Sequence, residues 1–181
     1  PLIGRGYKMI GDVGEGAMGK VLLARDLDLA RTVAYKEMSP EIARKPALSG
    51  KFYCEAQITA QLDHPNIVPI YALDEGADGR LAYSMKLIRG ETLEDLIGAC
   101  ITQYDNGSRK LDDEHDLPLR LDVFLKVCDA MYYSHNRCVI HRDLKPENII
   151  IGPYGEVYFI DLSIILIRRC RRIDRDPLIR M

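Results

Sequence analysis

The stretch His141-Arg142-Asp143-Leu144-Lys145-Pro146-Glu147-Asn148 is followed, eighteen residues after Asp143, by Asp161 at the end of an apolar run. An Asp that accepts a hydroxyl proton, a Lys that neutralises a phosphate, and an Asn and a second Asp that hold Mg²⁺ are the groups in-line phosphoryl transfer requires. Just downstream, Ile149 to Ile151 and Val157 to Ile160 read as two short strands around the turn Gly152-Pro153-Tyr154-Gly155. The eight residues therefore form a loop leading into paired strands.

Upstream, Leu121, Phe124, Leu125, Cys128, Met131 and Tyr132 recur at near-helical spacing, which predicts a long helix from Leu119 to about Asn136 with that stripe buried. Thr102 to Pro118 is polar and charged, carries Asn106-Gly107, and reads as a loop or insertion. A shorter helix is expected from Thr92, as N-cap, through Ile101. The first half has a different texture. Tyr7 to Val13, Val21 to Arg25, Thr32 to Met38, Ile67 to Leu73 and Arg80 to Ile88 are short apolar runs set off by turn residues, which predicts five strands. One stretch is ambiguous, because Val21, Leu22, Leu23, Leu27 and Ala30 would also make a helical stripe over Lys20 to Arg31. From Gly50 to Leu62 the spacing of Phe52, Ala56, Ile58 or Thr59, and Leu62 predicts one amphipathic helix, stopping before Asp63-His64-Pro65-Asn66. No internal repeat is present.

Between the first two strands lies Gly14-Glu15-Gly16-Ala17-Met18-Gly19-Lys20-Val21, whose absent side chains would let backbone N–H groups approach phosphate oxygens. It fits three patterns. As a P-loop it has Val21 where a Mg²⁺-binding Ser or Thr is required, and as a dinucleotide fingerprint it finds an acid at Glu37. As a Gly-rich loop between strands it needs a Val two residues past the last Gly, and Val21 supplies it. Lys36, in Val33-Ala34-Tyr35-Lys36, bears on the choice: a lysine in an apolar strand is costly unless its ammonium meets anions, and Glu55 on the following helix is a candidate partner. A strand lysine is usually just solvated. The later loop around Asp143 outweighs that bland reading.

Composition removes other classes. With 25 Lys and Arg against 27 Asp and Glu, a net charge of −2 and 47% apolar residues, the 181-residue chain reads as one globular unit or two small lobes. It has no overall field to gather nucleic acid or an anionic membrane. Five Cys never fall within four residues of each other, which excludes a CxxC pair or zinc knuckle and suits a reducing cytosol. None of the four His has metal-ligand spacing, and His64 and His115 read as structural or solvated. No charge-free run approaches the ~20 apolar residues of a bilayer helix, so a cytoplasmic location is expected, with any membrane segment of a parent protein lying outside this chain.

The Gly-rich loop, Lys36, Glu55, the loop around Asp143 and Asp161, in that order, resemble the protein kinase superfamily from Tyr7 to about Ser163. Lys145 resembles the Ser/Thr branch. The polar insertion, Phe124-Leu125-Lys126-Val127-Cys128-Asp129-Ala130 and Gly152 to Val157 look most like bacterial eukaryotic-like Ser/Thr kinases. The resemblance implies an α+β, two-lobed fold: a five-stranded antiparallel sheet with one helix in residues 1–90, an incomplete helical lobe in 91–162, and a divergent Arg-rich tail in 163–181. It implies ATP and Mg²⁺, with Mn²⁺ as an alternative, and a protein Ser or Thr hydroxyl as acceptor. Gly14, Gly16 and Gly19 would cover the phosphates; Lys36, paired to Glu55, would hold the α and β phosphates. Asp143 would orient and deprotonate the acceptor hydroxyl, Lys145 would touch the transferred group, and Asn148 and Asp161 would bind the metal. Val13, Val21, Ala34 and Ile150 would wall the adenine, with Met85 as gatekeeper and the backbones of Lys86 and Ile88 as hinge contacts. His141 would be a packed structural residue.

The pattern is broken after Asp161, where Leu162-Ser163 stands in place of Phe-Gly or Trp-Gly; serine lacks the φ freedom of glycine. No Ala-Pro-Glu segment or recognisable activation loop occurs in Ile164 to Met181. The expectation is a truncated or frame-shifted kinase, weakly active or inactive, the alternative being a catalytically dead nucleotide-binding or interaction fragment. The stripe from Leu121 to Tyr132 would then lack the helices it normally packs on. At about 1.5 to 3 kcal/mol per large side chain, a bare face forfeits roughly 10 kcal/mol, so the tail or a partner chain is expected to cover it.

Overall fold

The computed structural model describes residues 2–160 except 5, 17, 77, 108–110, 113 and 114, together with the backbone of 165 and 166. Asp161, the Leu162-Ser163 departure and the Arg-rich tail lie outside the described residues. Two units can be distinguished: one built from the residues up to Asp63 with Val68–Ile88, the other from His64–Ile67 with the residues from Arg89 onward.

The first unit contains β1 (Leu2–Ile3), β2 (Tyr7–Gly16), β3 (Gly19–Asp26), β4 (Arg31–Met38), α1 (Pro40–Ala43), α2 (Pro46–Thr59), β5 (Ile70–Glu75) and β6 (Leu81–Lys86). The strands form one antiparallel sheet in the order β1-β2-β3-β4-β6-β5. The five expected strands are present, and β1 adds a short edge beside Tyr7 and Lys8. The ambiguous stretch is a strand. Leu22, Ala24 and Asp26 are buried at alternate positions, whereas Leu27 and Ala30, which a helical stripe would bury, are exposed in the turn to β4. The Asp26 carboxylate accepts the Leu29 N–H at 3.1 Å and closes that turn.

The period of two sorts the sheet into faces. Val33 and Tyr35 pack with Tyr7, Leu22, Ala24 and Ala82, and the buried hydroxyls there are partnered: Tyr7 Oη lies 2.8 Å from Ser84 Oγ, and Tyr35 donates to Asp74 at 2.8 Å. Met38 and Tyr83, on the opposite face, pack with Phe52 and Ala56 of α2. That helix starts at Pro46 rather than Gly50, since proline is tolerated in a first turn, and Leu62 is buried just beyond its end. β5 begins at Ile70, not Ile67: Pro69 has no N–H for a ladder, and its carbonyl accepts the Lys86 N–H at 3.0 Å.

The second unit contains β7 (Glu91–Thr92), α3 (Leu93–Asp105), α4 (Leu117–Asn136), β8 (Val139–Ile140), β9 (Ile149–Ile151), β10 (Val157–Phe159) and β11 (Ile165–Leu166). β10, β9 and β7 form one small antiparallel sheet, and β11 pairs with β8. Thr92 caps α3 reciprocally with Asp95, and α3 runs to Asp105, four residues past the expected end. Asp116 caps α4 by accepting the Leu119 N–H at 2.9 Å. The polar connection is therefore 106–116, shorter than Thr102 to Pro118.

The stripe predicted to be buried on α4 is mostly exposed. Leu121, Phe124, Leu125, Cys128 and Tyr132 face solvent and Met131 is half-buried, while Val123, Ala130 and Ser134 are the buried positions. Between α3 and α4 lies an apolar cavity of about 350 Å³ whose lining includes Leu96, Cys100, Val123 and Phe124. His64–Ile67 anchor into this unit: Asn66 donates its side-chain amide to the Val157 carbonyl at 2.9 Å and accepts the Phe159 N–H at 2.9 Å. The His64 and Tyr133 ring centroids lie 5.0 Å apart, tilted by 38°, and His115 is hydrogen-bonded to Asp112 and Gln103. Among the described residues no helix is long and apolar enough to cross a membrane.

Candidate functional site

The Gly-rich segment closes the hairpin of β2 and β3, with Gly14 opposite Val21, Glu15 opposite Lys20 and Gly16 opposite Gly19. A strand follows Lys20, where the P-loop and dinucleotide patterns both demand a helix; the structure sets those two readings aside. The glycines differ in what they do. A Cβ on Gly19 would overlap the carbonyl oxygen of Glu37, so the chain itself requires glycine there. A Cβ on Gly14 would meet nothing within 4 Å, and one on Gly16 would only touch the Gly19 carbonyl at 4.0 Å. At those two positions the space beside the backbone is open rather than filled by the protein's own atoms. Lys20 pairs with Asp12 across the hairpin at 2.8 Å, and that hydrogen bond holds its ammonium above the ordinary lysine range.

Lys36 of β4 and Glu55 of α2 are both buried, and Lys36 Nζ lies 3.4 Å from Glu55 Oε1. The spacing from strand to helix, legible in the sequence, brings them together. Tyr83 on β6 donates its hydroxyl to the same Oε1 at 3.2 Å. A buried ammonium and carboxylate are tolerable because each meets the other and the carboxylate gains a neutral donor.

The residues expected around adenine are placed as follows. Ala34 is buried and stands opposite Met85, which is half-buried, as are Val21, Lys86 and Ile88. Val13 is exposed at the irregularity between Asp12 and Gly14, where the strand departs from regular pairing. Ile150, half-buried on β9, belongs to the second unit.

In that unit the sequence from His141 to Asn148 runs between β8 and β9. His141 is buried, its ring edge-on to Phe159 at 5.9 Å, which fits a packed structural residue. Arg142 has φ of 35°, a left-handed turn that brings the Asp143 N–H onto the His141 carbonyl. Pro146–Asn148 form one 3₁₀ turn, which carries Asn148 back toward Asp143. Asn148 is buried and donates its side-chain amide to the Asp143 backbone carbonyl at 3.0 Å and carboxylate at 3.4 Å. Lys145 Nζ lies 3.8 Å from the same carboxylate oxygen, and both side chains are about half exposed. The result is an outward-facing carboxylate with the Asn148 amide behind it and the Lys145 ammonium beside it. Such a group can accept a proton from a hydroxyl, with a cation beside it for an anionic reactant.

Tyr83 is the residue that reading the sequence missed. Alternation along β6 puts Tyr83 on the same face as Met85, but its place opposite Lys36 comes from the pairing of β4 with β6, which the segment alone does not encode.

A family model described as a protein kinase domain matches residues 7–165. The chain is 37% identical over 171 residues, 94% of its length, to the serine/threonine-protein kinase PknD of Protochlamydia amoebophila, and covers 17% of that relative. It is 34% identical over 170 residues to the protein of the same name from Chlamydia muridarum, spanning 94% of the chain and 18% of the relative. The PknD of Chlamydia trachomatis serovar D is 34% identical over 167 residues, 92% of the chain and 18% of the relative. The chain thus spans less than a fifth of the length of these curated relatives.

Proposed function

This chain belongs to the protein kinase family, and from that premise we propose that it transfers the γ-phosphate of ATP to a serine or threonine hydroxyl of a protein. The observation that carries the proposal is Asp143: a solvent-facing carboxylate backed by Asn148, with the Lys145 ammonium beside it. Asp143 takes the proton of the acceptor hydroxyl, and Lys145 stabilises charge on the group in transfer. Lys36, kept in place by Glu55, holds the α and β phosphates beneath the hairpin of Gly14, Gly16 and Gly19. Val13, Val21, Ala34 and Met85 contact the adenine, with Lys86 and Ile88 as backbone partners. The relatives' name, serine/threonine-protein kinase, supports the choice of acceptor.

Oxygen ligands suit a hard divalent cation, and Asn148 fits: its amide nitrogen is committed to Asp143, which turns the oxygen into the atom of ligand chemistry. Asn148 and Asp161 would hold Mg²⁺, or Mn²⁺ in its place, whose contribution is to neutralise phosphate charge.

Transfer by the 181-residue chain is expected to be slow. Positioning supplies much of the acceleration in this chemistry, and Leu162-Ser163 replaces the residues that ordinarily follow the metal-binding Asp. One observation favours a second reading, a nucleotide-binding or interaction module without turnover: the apolar face of Leu121, Phe124, Leu125 and Tyr132 is exposed, and a partner chain would cover it. Titrating Mg-ATP and measuring γ-phosphate transfer on one preparation separates the two. Transfer lost in Asp143→Asn, with binding retained, supports the kinase; binding without transfer supports the second reading.

A further inference from the structure

Lys36 and Tyr83 are paired residues of adjacent antiparallel strands, so their side chains leave the sheet on the same face, the one α2 covers with Phe52 and Glu55. Phe52 and Glu55 stand three residues apart on one face of α2, so whatever fixes Phe52 also aims Glu55. The Tyr83 and Phe52 ring centroids are 5.1 Å apart and tilted by 44°. Lys36 Nζ sits 5.8 Å from the Tyr83 centroid and 6.0 Å from that of Phe52. Lys36 Nζ at 3.4 Å and the Tyr83 hydroxyl at 3.2 Å approach the same Glu55 Oε1, both at the long end of hydrogen-bond range. Lysine and glutamate side chains turn about many bonds, whereas a phenol packed against Phe52 turns about two and brings its hydroxyl to the carboxylate from a fixed direction.

We propose that Tyr83 is a positioning residue for the phosphates of ATP: its hydroxyl holds the Glu55 carboxylate in the rotamer that presents Lys36 Nζ. This rests on the role given to Lys36 above. Without the hydroxyl, the carboxylate rotates, the ammonium follows it, and phosphate binding weakens. Adenosine, which carries no phosphate, does not use Lys36 and is indifferent to the change.

The test is calorimetric titration of the full chain with Mg-ATP and with adenosine. Tyr83→Phe keeps the ring and removes only the hydroxyl. The ratio of ATP to adenosine affinity is expected to fall about three- to tenfold, with adenosine affinity unchanged within about twofold. Tyr83→Met, apolar and without a hydroxyl, should lower the ratio likewise and serves if the phenylalanine variant folds poorly. In Lys36→Ala the ratio should fall further, and adding Tyr83→Phe to that variant should change nothing more. An unchanged ratio in Tyr83→Phe, beside a lowered one in Lys36→Ala, overturns the proposal while leaving the role of Lys36 intact. Equal loss of both ligands overturns it too, because that is what a packing role alone produces. A ratio unchanged in Lys36→Ala overturns both.

Discussion

Asn148 folds back onto Asp143, giving one amide hydrogen to its backbone carbonyl at 3.0 Å and approaching its carboxylate at 3.4 Å. Within eight residues the chain therefore builds its own clamp: the 3₁₀ turn at Pro146–Asn148 returns the asparagine, and the asparagine sets the aspartate. The clamp is local, which is why the order of residue types in this loop is so informative.

Replacing Asn148 by Ala removes the clamp and a buried polar group with its bonds. Urea denaturation should show a loss of about 1–2 kcal/mol, and phosphate transfer should fall far more than stability does. A variant that keeps wild-type transfer would show that Asp143 needs no support from Asn148.

The glycines of the hairpin should separate into two kinds. Gly19→Ala drives a Cβ into the Glu37 carbonyl and should cost about 1–3 kcal/mol or more in thermal or urea unfolding. Gly14→Ala meets no protein atom, so stability should stay within about 0.5 kcal/mol while Mg-ATP affinity drops. Equal stability losses at both positions would contradict the distinction.

Acid should weaken the first unit partly through Asp26. Burial alone would raise its pKa, but the hydrogen bonds from the Leu29 N–H and the Arg31 guanidinium outweigh burial and hold the carboxyl below its ordinary 3.8. A folded-state pKa below the unfolded one means that the stabilisation is present above pH 3.8 and is lost as pH falls through the lowered value. Asp26→Asn keeps an acceptor for Leu29 and abolishes the titration. Its deficit relative to wild type in urea unfolding should be largest near neutrality and shrink toward acid; parallel curves would contradict this.

Much of the fold could be read from local pattern because local physics sets it. Alternation gave the strands, and the spacing of Phe52 and Ala56 gave α2. At Lys20 to Arg31, pairing with two neighbours decides what local pattern left open, and pairing is not a property of the segment. The α4 stripe failed for a related reason: periodicity locates a helix, but the buried face depends on what packs there, and Val123, Ala130 and Ser134 are covered instead of Phe124 and Leu125. Lys36 and Glu55 stood out because charged residues in apolar surroundings need partners. Tyr83 did not, since a tyrosine in a strand looks like ordinary core until its register opposite Lys36 is known. Ile67 likewise seemed to open a strand of the first sheet, yet it makes a parallel bridge with Phe159, a contact across ninety-two residues that no local pattern encodes.

The most direct measurement is transfer of γ-phosphate from labelled Mg-ATP to a generic Ser/Thr acceptor and to the chain itself, compared between wild type and Asp143→Asn. Label on serine or threonine is predicted, at a rate below the ~1–100 s⁻¹ usual for protein kinases, and absent from the Asp143→Asn chain. No label above that of the Asp143→Asn chain would contradict the account.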